Sequence, residues 1–189
     1  MKTKTWILIN ALGITLGLAG ISGLVFSDDD EHGGGGMWKQ SRLDVAPVKD
    51  AFYKEECGSC HFPYQPGLLP ARSWQRLMGG LDDHFGENAE LDAADAQRLT
   101  DYLTANAADN ADYKRSRGIA RSLRKSEVPM RISKMHYFKR KHHELSSRRV
   151  KDNPKVRSFS NCDLCHTRAA QGSYNEHQVK IPGFRSWDD

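Results

Sequence analysis

The chain has 189 residues, 38% of them apolar and 9% aromatic, with a formal charge of +4. That charge is unevenly spread: nine acidic residues and one basic residue lie between Asp82 and Asp112, against sixteen basic and three acidic between Lys114 and Arg157. The length excludes a large multidomain assembly, and the basic run contains no recognition module of a nucleic-acid-binding protein, which leaves either a solvated face or a docking surface for a charged partner.

Lys2 and Lys4 precede an uncharged stretch of 21 residues from Trp6 to Phe26. It is long enough to cross a bilayer as a helix and longer than an ordinary signal-peptide core. The lysines hold its start inside and send Ser27 onward out. Ala19, Gly20, Ser22 and Gly23 offer small residues to a peptidase, but no A-x-A motif closes the segment. Residues 1–26 therefore read as a retained anchor, with a cleaved signal as the alternative; either exports the rest. Residues 27–44 open with Ser27, Asp28, Asp29, Asp30 and Glu31, continue through Gly33 to Gly36, and read as a flexible tether.

Residues 45–112 read as a first lobe. A short helix is expected over 45–55, with Pro47 near its start and Val48, Ala51 and Phe52 on one face. It leads into Cys57-Gly58-Ser59-Cys60-His61. In this C-x-x-C-H spacing two thiols add to the vinyl groups of one haem, and the adjoining imidazole reaches the iron. Pro63, Pro66 and Pro70 then exclude a regular helix, so Phe62, Tyr64, Leu68 and Leu69 are expected in a loop around the haem edge. Residues 71–78 predict a helix whose Trp74, Leu77 and Met78 share a face with Leu81. Met78 reads as core, with an axial thioether as the lesser reading. His84 lies beside Asp82 and Asp83, which suit the outer nitrogen of a ligating imidazole; taken alone it reads equally well as a surface histidine. Asp92 predicts the cap of a helix over 93–103.

Residues 113–178 read as a second lobe, and 179–189 as a tail. Pro129 is expected to open a helix running to Leu145, on which Met135, Phe138, His142 and Leu145 share a face. That phase prefers His142 over His143 as a buried ligand, although a one-position twist would exchange them. Asn161 is expected to cap the second pentapeptide, Cys162-Asp163-Leu164-Cys165-His166. The two pentapeptides use all four cysteines. A single zinc on four thiolates leaves His61 and His166 unexplained, and a redox dithiol wants a βαβ context that is absent. Two covalent haem c groups explain every residue. Their apolar faces would serve as core, so the apoprotein is expected to fold poorly.

Several longer runs carry a resemblance. They are Cys57 to His61 with Tyr64, Pro66 to Trp74, Leu81 to Gly86, Lys141 to Leu145, and Ser158 through Ala170. Over roughly residues 48–175 the chain resembles the small dihaem cytochromes c that donate electrons to a high-spin, oxygen-binding monohaem cytochrome in photosynthetic and related bacteria. The resemblance implies an all-α fold of short helices and long loops around two haems. It implies His61 and His166 as proximal iron ligands and His84 and His142 as distal ones, with Cys57, Cys60, Cys162 and Cys165 as the thioether residues. Which distal histidine serves which haem stays open. It also implies an electron carrier and not an enzyme, and the N-terminal segment puts that carrier on the periplasmic side of the inner membrane. The expected donor is membrane quinol-linked, such as a cytochrome b, and the expected acceptor a monohaem cytochrome c. The rival readings are a dihaem peroxidase or reductase and a haem-based gas sensor. His143 beside the expected ligand, and the basic stretch before Lys155, depart from the family pattern.

Overall fold

The computed structural model describes residues 43–186. The expected anchor over 1–26, most of the tether over 27–44, and Trp187 lie outside the described residues. Among the described residues no helix is long and apolar enough to cross a membrane. The fold is all-α, as expected, and its only pairing outside helices and turns among the described residues is two isolated bridges.

Six short α-helices carry the chain: α1 (Ala51–Gly58), α2 (Ala71–Met78), α3 (Ala93–Ala105), α4 (Lys114–Ser122), α5 (His136–Lys141) and α6 (Cys162–Cys165). Single 3-10 turns at Pro66–Leu68, Leu81–Asp83, Ile132–Lys134, Ser147–Arg149, Ala169–Gln171 and Glu176–Gln178 link them. Capping explains where α1 and α3 begin. The Asp50 carboxylate accepts from Tyr53 N–H at 2.8 Å and that of Asp92 from Asp95 N–H at 2.9 Å, each satisfying a first-turn donor.

Apolar periodicity then fixes which faces turn inward. Trp74 and Leu77 of α2 meet Leu99 and Leu103 of α3, which accounts for the close packing of this pair. Trp74 Nε1 donates to Pro66 O at 2.8 Å, so its one polar atom is satisfied inside the core. Val45, Tyr53, Leu69, Ile119 and Met135 complete this larger cluster, and Met78 packs on its edge, as a core residue should. A smaller cluster of Val150, Val156 and Ile181 gathers Leu145, Phe159, Cys165 and Phe184.

Three local expectations differ from the structure. Helix α1 starts at Ala51, because residues 44 and 45 are held in a bend by giving both their N–H groups to Gly172 O, at 3.0 and 3.1 Å. Tyr53 fills the inward position and Ala51 faces solvent. The single helix expected from Pro129 to Leu145 is instead a 3-10 turn followed by the six residues of α5. Met135 breaks it, extended at φ −63° and ψ 146° with its side chain buried in the larger core. Asn161 does not cap α6; its Nδ2 donates to Val156 O at 2.7 Å.

Candidate haem sites

Each pentapeptide is placed by a helical turn. Helix α1 runs through Cys57, so the first thiol sits on its last turn. Helix α6 is a single turn from Cys162 to Cys165, which puts both thiols on one face, and His166 N–H donates to Cys162 O at 2.8 Å. His166 is further fixed by a bridge to Val179 and by Lys180 N–H donating to Cys165 O at 2.9 Å.

The four ligand candidates come together in two pairs. The rings of His61 and His84 are 6.2 Å apart between centroids and inclined at 17°. Those of His142 and His166 are 6.0 Å apart and inclined at 80°. Two imidazoles on opposite sides of one iron, each with a metal–nitrogen bond of about 2 Å, have centroids about 6 Å apart. Both pairs therefore fit a haem iron between them. Each distal candidate meets the proximal histidine of its own part of the chain. Among the described residues no three His, Cys, Asp or Glu side chains converge as a metal-ion cluster, so the four thiols do not form one zinc site.

The ring nitrogens are treated differently within each pair. His61 Nδ1 lies 2.8 Å from Phe62 O, and His142 Nδ1 lies 2.9 Å from Phe138 O. A carbonyl on Nδ1 fixes the tautomer and leaves Nε2 free for a metal. His84 and His166 have buried Nδ1 atoms without a hydrogen-bond partner. His142 is also stacked on Phe138 at 3.9 Å and 13°, with Phe159 against it edge-on. Its neighbour His143 is exposed, with Nδ1 2.8 Å from Arg140 O and a carboxylate oxygen of Glu144 at 3.8 Å. The structure thus brings His142, not His143, to His166.

Burial favours the neutral, ligating form of His84, His142 and His166. It lowers the pKa of His84, helped by His61 and Arg131. It lowers that of His142, against the Phe138 carbonyl and together with Arg115. It lowers His166 furthest, to about 4, with His142 and Arg115 adding to the effect. Burial pushes the Cys57 thiol up to about 11 and the Cys162 thiol up to about 12, with Glu56 and Asp163 respectively contributing.

Sequence reasoning missed the polar chain that joins the two sites. Tyr64, expected only as an apolar contact, stacks on His61 at 5.2 Å and donates its hydroxyl to Ser160 O at 2.6 Å, two residues before Cys162. Gln65, wholly buried, donates Nε2 to Ala169 O at 2.5 Å and accepts the Tyr174 hydroxyl on Oε1 at 2.6 Å. Tyr174 lies 5.1 Å from the His166 ring. Arg115 closes the arrangement: its Nε donates to Asp44 Oδ1 at 2.9 Å and its Nη2 to Tyr174 O at 3.2 Å. A glutamine inside an otherwise apolar, proline-rich loop was the available signal, since such a residue needs partners when buried.

The comparisons agree with this geometry. Residues 53–174 match the family model described as dihaem cytochrome c. The crystal structure of the diheme cytochrome type c from Shewanella baltica OS155 is 41% identical, with a TM-score of 0.61, over 73% of this chain and 97% of that one. The diheme cytochrome c from Rhodobacter sphaeroides is 44% identical, with a TM-score of 0.62, over 69% of this chain and 100% of that one. No curated protein matches.

Proposed function

The chain belongs to the dihaem cytochrome c family, with two covalently bound haem c groups, and from that premise we propose that it is a periplasmic electron carrier with histidine on both sides of each iron. In this reading Cys57 and Cys60 hold the first haem and Cys162 and Cys165 the second. His61 and His84 ligate the first iron, and His166 and His142 the second. The observation that carries it is the pair of histidine separations near 6 Å.

The haem irons supply a one-electron couple between ferric and ferrous states. The residues do the rest. With a haem bound, His61 with His84 and His166 with His142 would occupy the positions a substrate would need, and neutral imidazoles would suit both oxidation states. Phe62 O and Phe138 O keep His61 and His142 directed at their irons. The absence of a methionine ligand favours a low potential. Tyr64 and the Gln65–Tyr174 pair give an electron a continuous bonded route between the sites. The donor is membrane quinol-linked, of the cytochrome b kind, and the acceptor a periplasmic monohaem cytochrome c. Residues 1–26 would hold the carrier at the membrane and raise its effective concentration beside that donor.

Visible spectra and electron paramagnetic resonance of the oxidised holoprotein test the ligand set. Two low-spin ferric signals are expected. The near-parallel rings of the first site split the iron d orbitals into a rhombic signal, and the near-perpendicular rings of the second give a highly anisotropic one. A high-spin ferric signal, or a methionine–iron charge-transfer band, would overturn the reading.

A further inference from the structure

His84 is carried by a tight turn. His84 N–H donates to Glu87 O at 2.7 Å, Phe85 N–H to Asp83 O at 2.8 Å, and Gly86 N–H to Asp83 Oδ1 at 2.9 Å. This turn drives Phe85 to φ +62°, a left-handed conformation that a bulky aromatic adopts only when its surroundings hold it there. Glycine or asparagine would sit there with less strain. The core does not hold Phe85, whose side chain remains 44% exposed.

Two contacts account for the ring instead. Its centroid lies 4.9 Å from that of His84, and the guanidinium of Arg131 stands over it at 3.8 Å. Arg131 is distant in sequence, just before the 3-10 turn Ile132–Lys134 that leads to α5. His84 meanwhile lacks the hydrogen bond that orients its partner, since its Nδ1 is buried without an acceptor. Ring packing is what remains to direct the imidazole.

We propose that Arg131 and Phe85 form a clasp that positions His84 on the first haem iron, in the part that the Phe138 carbonyl plays for His142. The strained backbone sets the Phe85 ring beside the imidazole, and the cation above keeps it there. Arg131 and Phe85 are positioning residues; neither touches the iron. The inference rests on His84 being the distal ligand of the first site. It also makes that ligand the one whose release a single surface contact controls.

The test uses the holoprotein, with carbon monoxide as the probe of the ferrous state and electron paramagnetic resonance resolving the two ferric sites. Carbon monoxide binds only when a histidine has left the iron. Arg131→Gln and Phe85→Leu are expected to raise its binding rate at the first site about threefold to tenfold. The second-site signal should stay unchanged, and Arg131→Lys, which keeps the cation, should stay near the parent rate. His84→Ala is the benchmark and should open the first site fully. If His84→Ala leaves that site low-spin, the ligand assignment fails and the clasp with it. If His84→Ala opens the site while Arg131→Gln and Phe85→Leu leave the rate unchanged, the clasp alone fails. Equal loosening of both sites, or a loss of thermal stability with no change in the rate, also overturns it. Arg131 is exposed, so its variants keep the test decisive even if Phe85→Leu folds poorly.

Discussion

The two sites begin from the same five-residue pattern, yet they anchor opposite partners. In the first, the motif histidine His61 is exposed and held by Phe62 O, while His84 has no acceptor. In the second, the motif histidine His166 has no acceptor, while His142 is held by Phe138 O and stacked on its ring. In the proposed reading the motif attaches a haem and supplies a proximal imidazole, but orientation comes from whichever segment turns a carbonyl toward the ring. Pro63 restricts Phe62 to an extended conformation, which offers its carbonyl to His61. Phe138 O lies in the last turn of α5, where it accepts the His142 N–H at 3.1 Å and has a second lone pair for the ring of the same residue.

The largest expected effect separates the distal ligands of the second site. His142→Ala should convert its iron wholly to a high-spin, carbon monoxide-binding form, whereas His143→Ala should leave the spectrum unaltered. A spin change on replacing His143 would show that the anchored ring is not the ligand. Next is Gly172→Ala. Gly172 has φ +79°, and an added Cβ would lie 2.3 Å from Val45 O and 3.3 Å from Pro47 N. Backbone atoms cannot step aside as side chains do, so about 3 kcal/mol of stability should be lost in urea unfolding. A loss below about 1 kcal/mol would mean that residues 44–47 shift freely. Gln65→Leu should cost about 2 kcal/mol, because the Tyr174 hydroxyl loses its acceptor inside the protein and Ala169 O keeps only the Gly172 N–H. It sharpens the comparison further. Gln65 belongs to the first-site loop, yet the second-site signal should move, through Tyr174 against His166, while the first should not.

Local patterns were readable wherever one stretch of chain settles its own structure. Residues 71–78 form α2 with the expected bounds, and Asp92 caps α3 as its side chain predicts. Helical phase also selected His142, because Phe138 and His142 stack one turn apart even though α5 ends at Lys141. What stayed hidden depends on partners far along the chain. Nothing near Pro47 says that Asp44 and Val45 will bond to Gly172, so the late start of α1 was not readable. Nothing near Met135 says that burying it in the larger core interrupts the helix that Pro129 predicts. Tyr64 was read for its ring and not its hydroxyl, and Arg131 as one of a basic run; both work across the chain. The thioether and proximal candidates stood out because thioether chemistry fixes the spacing of each pentapeptide. Their support did not, because no chemistry fixes where a carbonyl or a cation must come from.

Acid gives the smallest of these effects and still distinguishes the sites. His84, His142 and His166 all have folded-state pKa values below the ordinary 6.5, His166 at about 4. Below pH 6.5 the unfolded chain takes up protons at these rings that the folded chain refuses, so stability is full above that pH and falls as pH drops toward 4. For His166 alone the loss between pH 7 and pH 5.5 is on the order of 1 kcal/mol. An iron on the same nitrogen preserves the sign, because a proton must displace it to bind. The sites should differ in how they yield. His142 is tied to a helix end and stacked on Phe138, so the second site should give way only as the protein unfolds. His84 hangs on a turn braced from outside by Arg131, so acid should detach it locally, before global unfolding. A pH titration following both ferric signals together with helix content checks this: the first-site signal should decline at a higher pH than helix content, and the second-site signal should decline with it. Loss of both signals at one pH would mean that His84 is bound into the fold as firmly as His142.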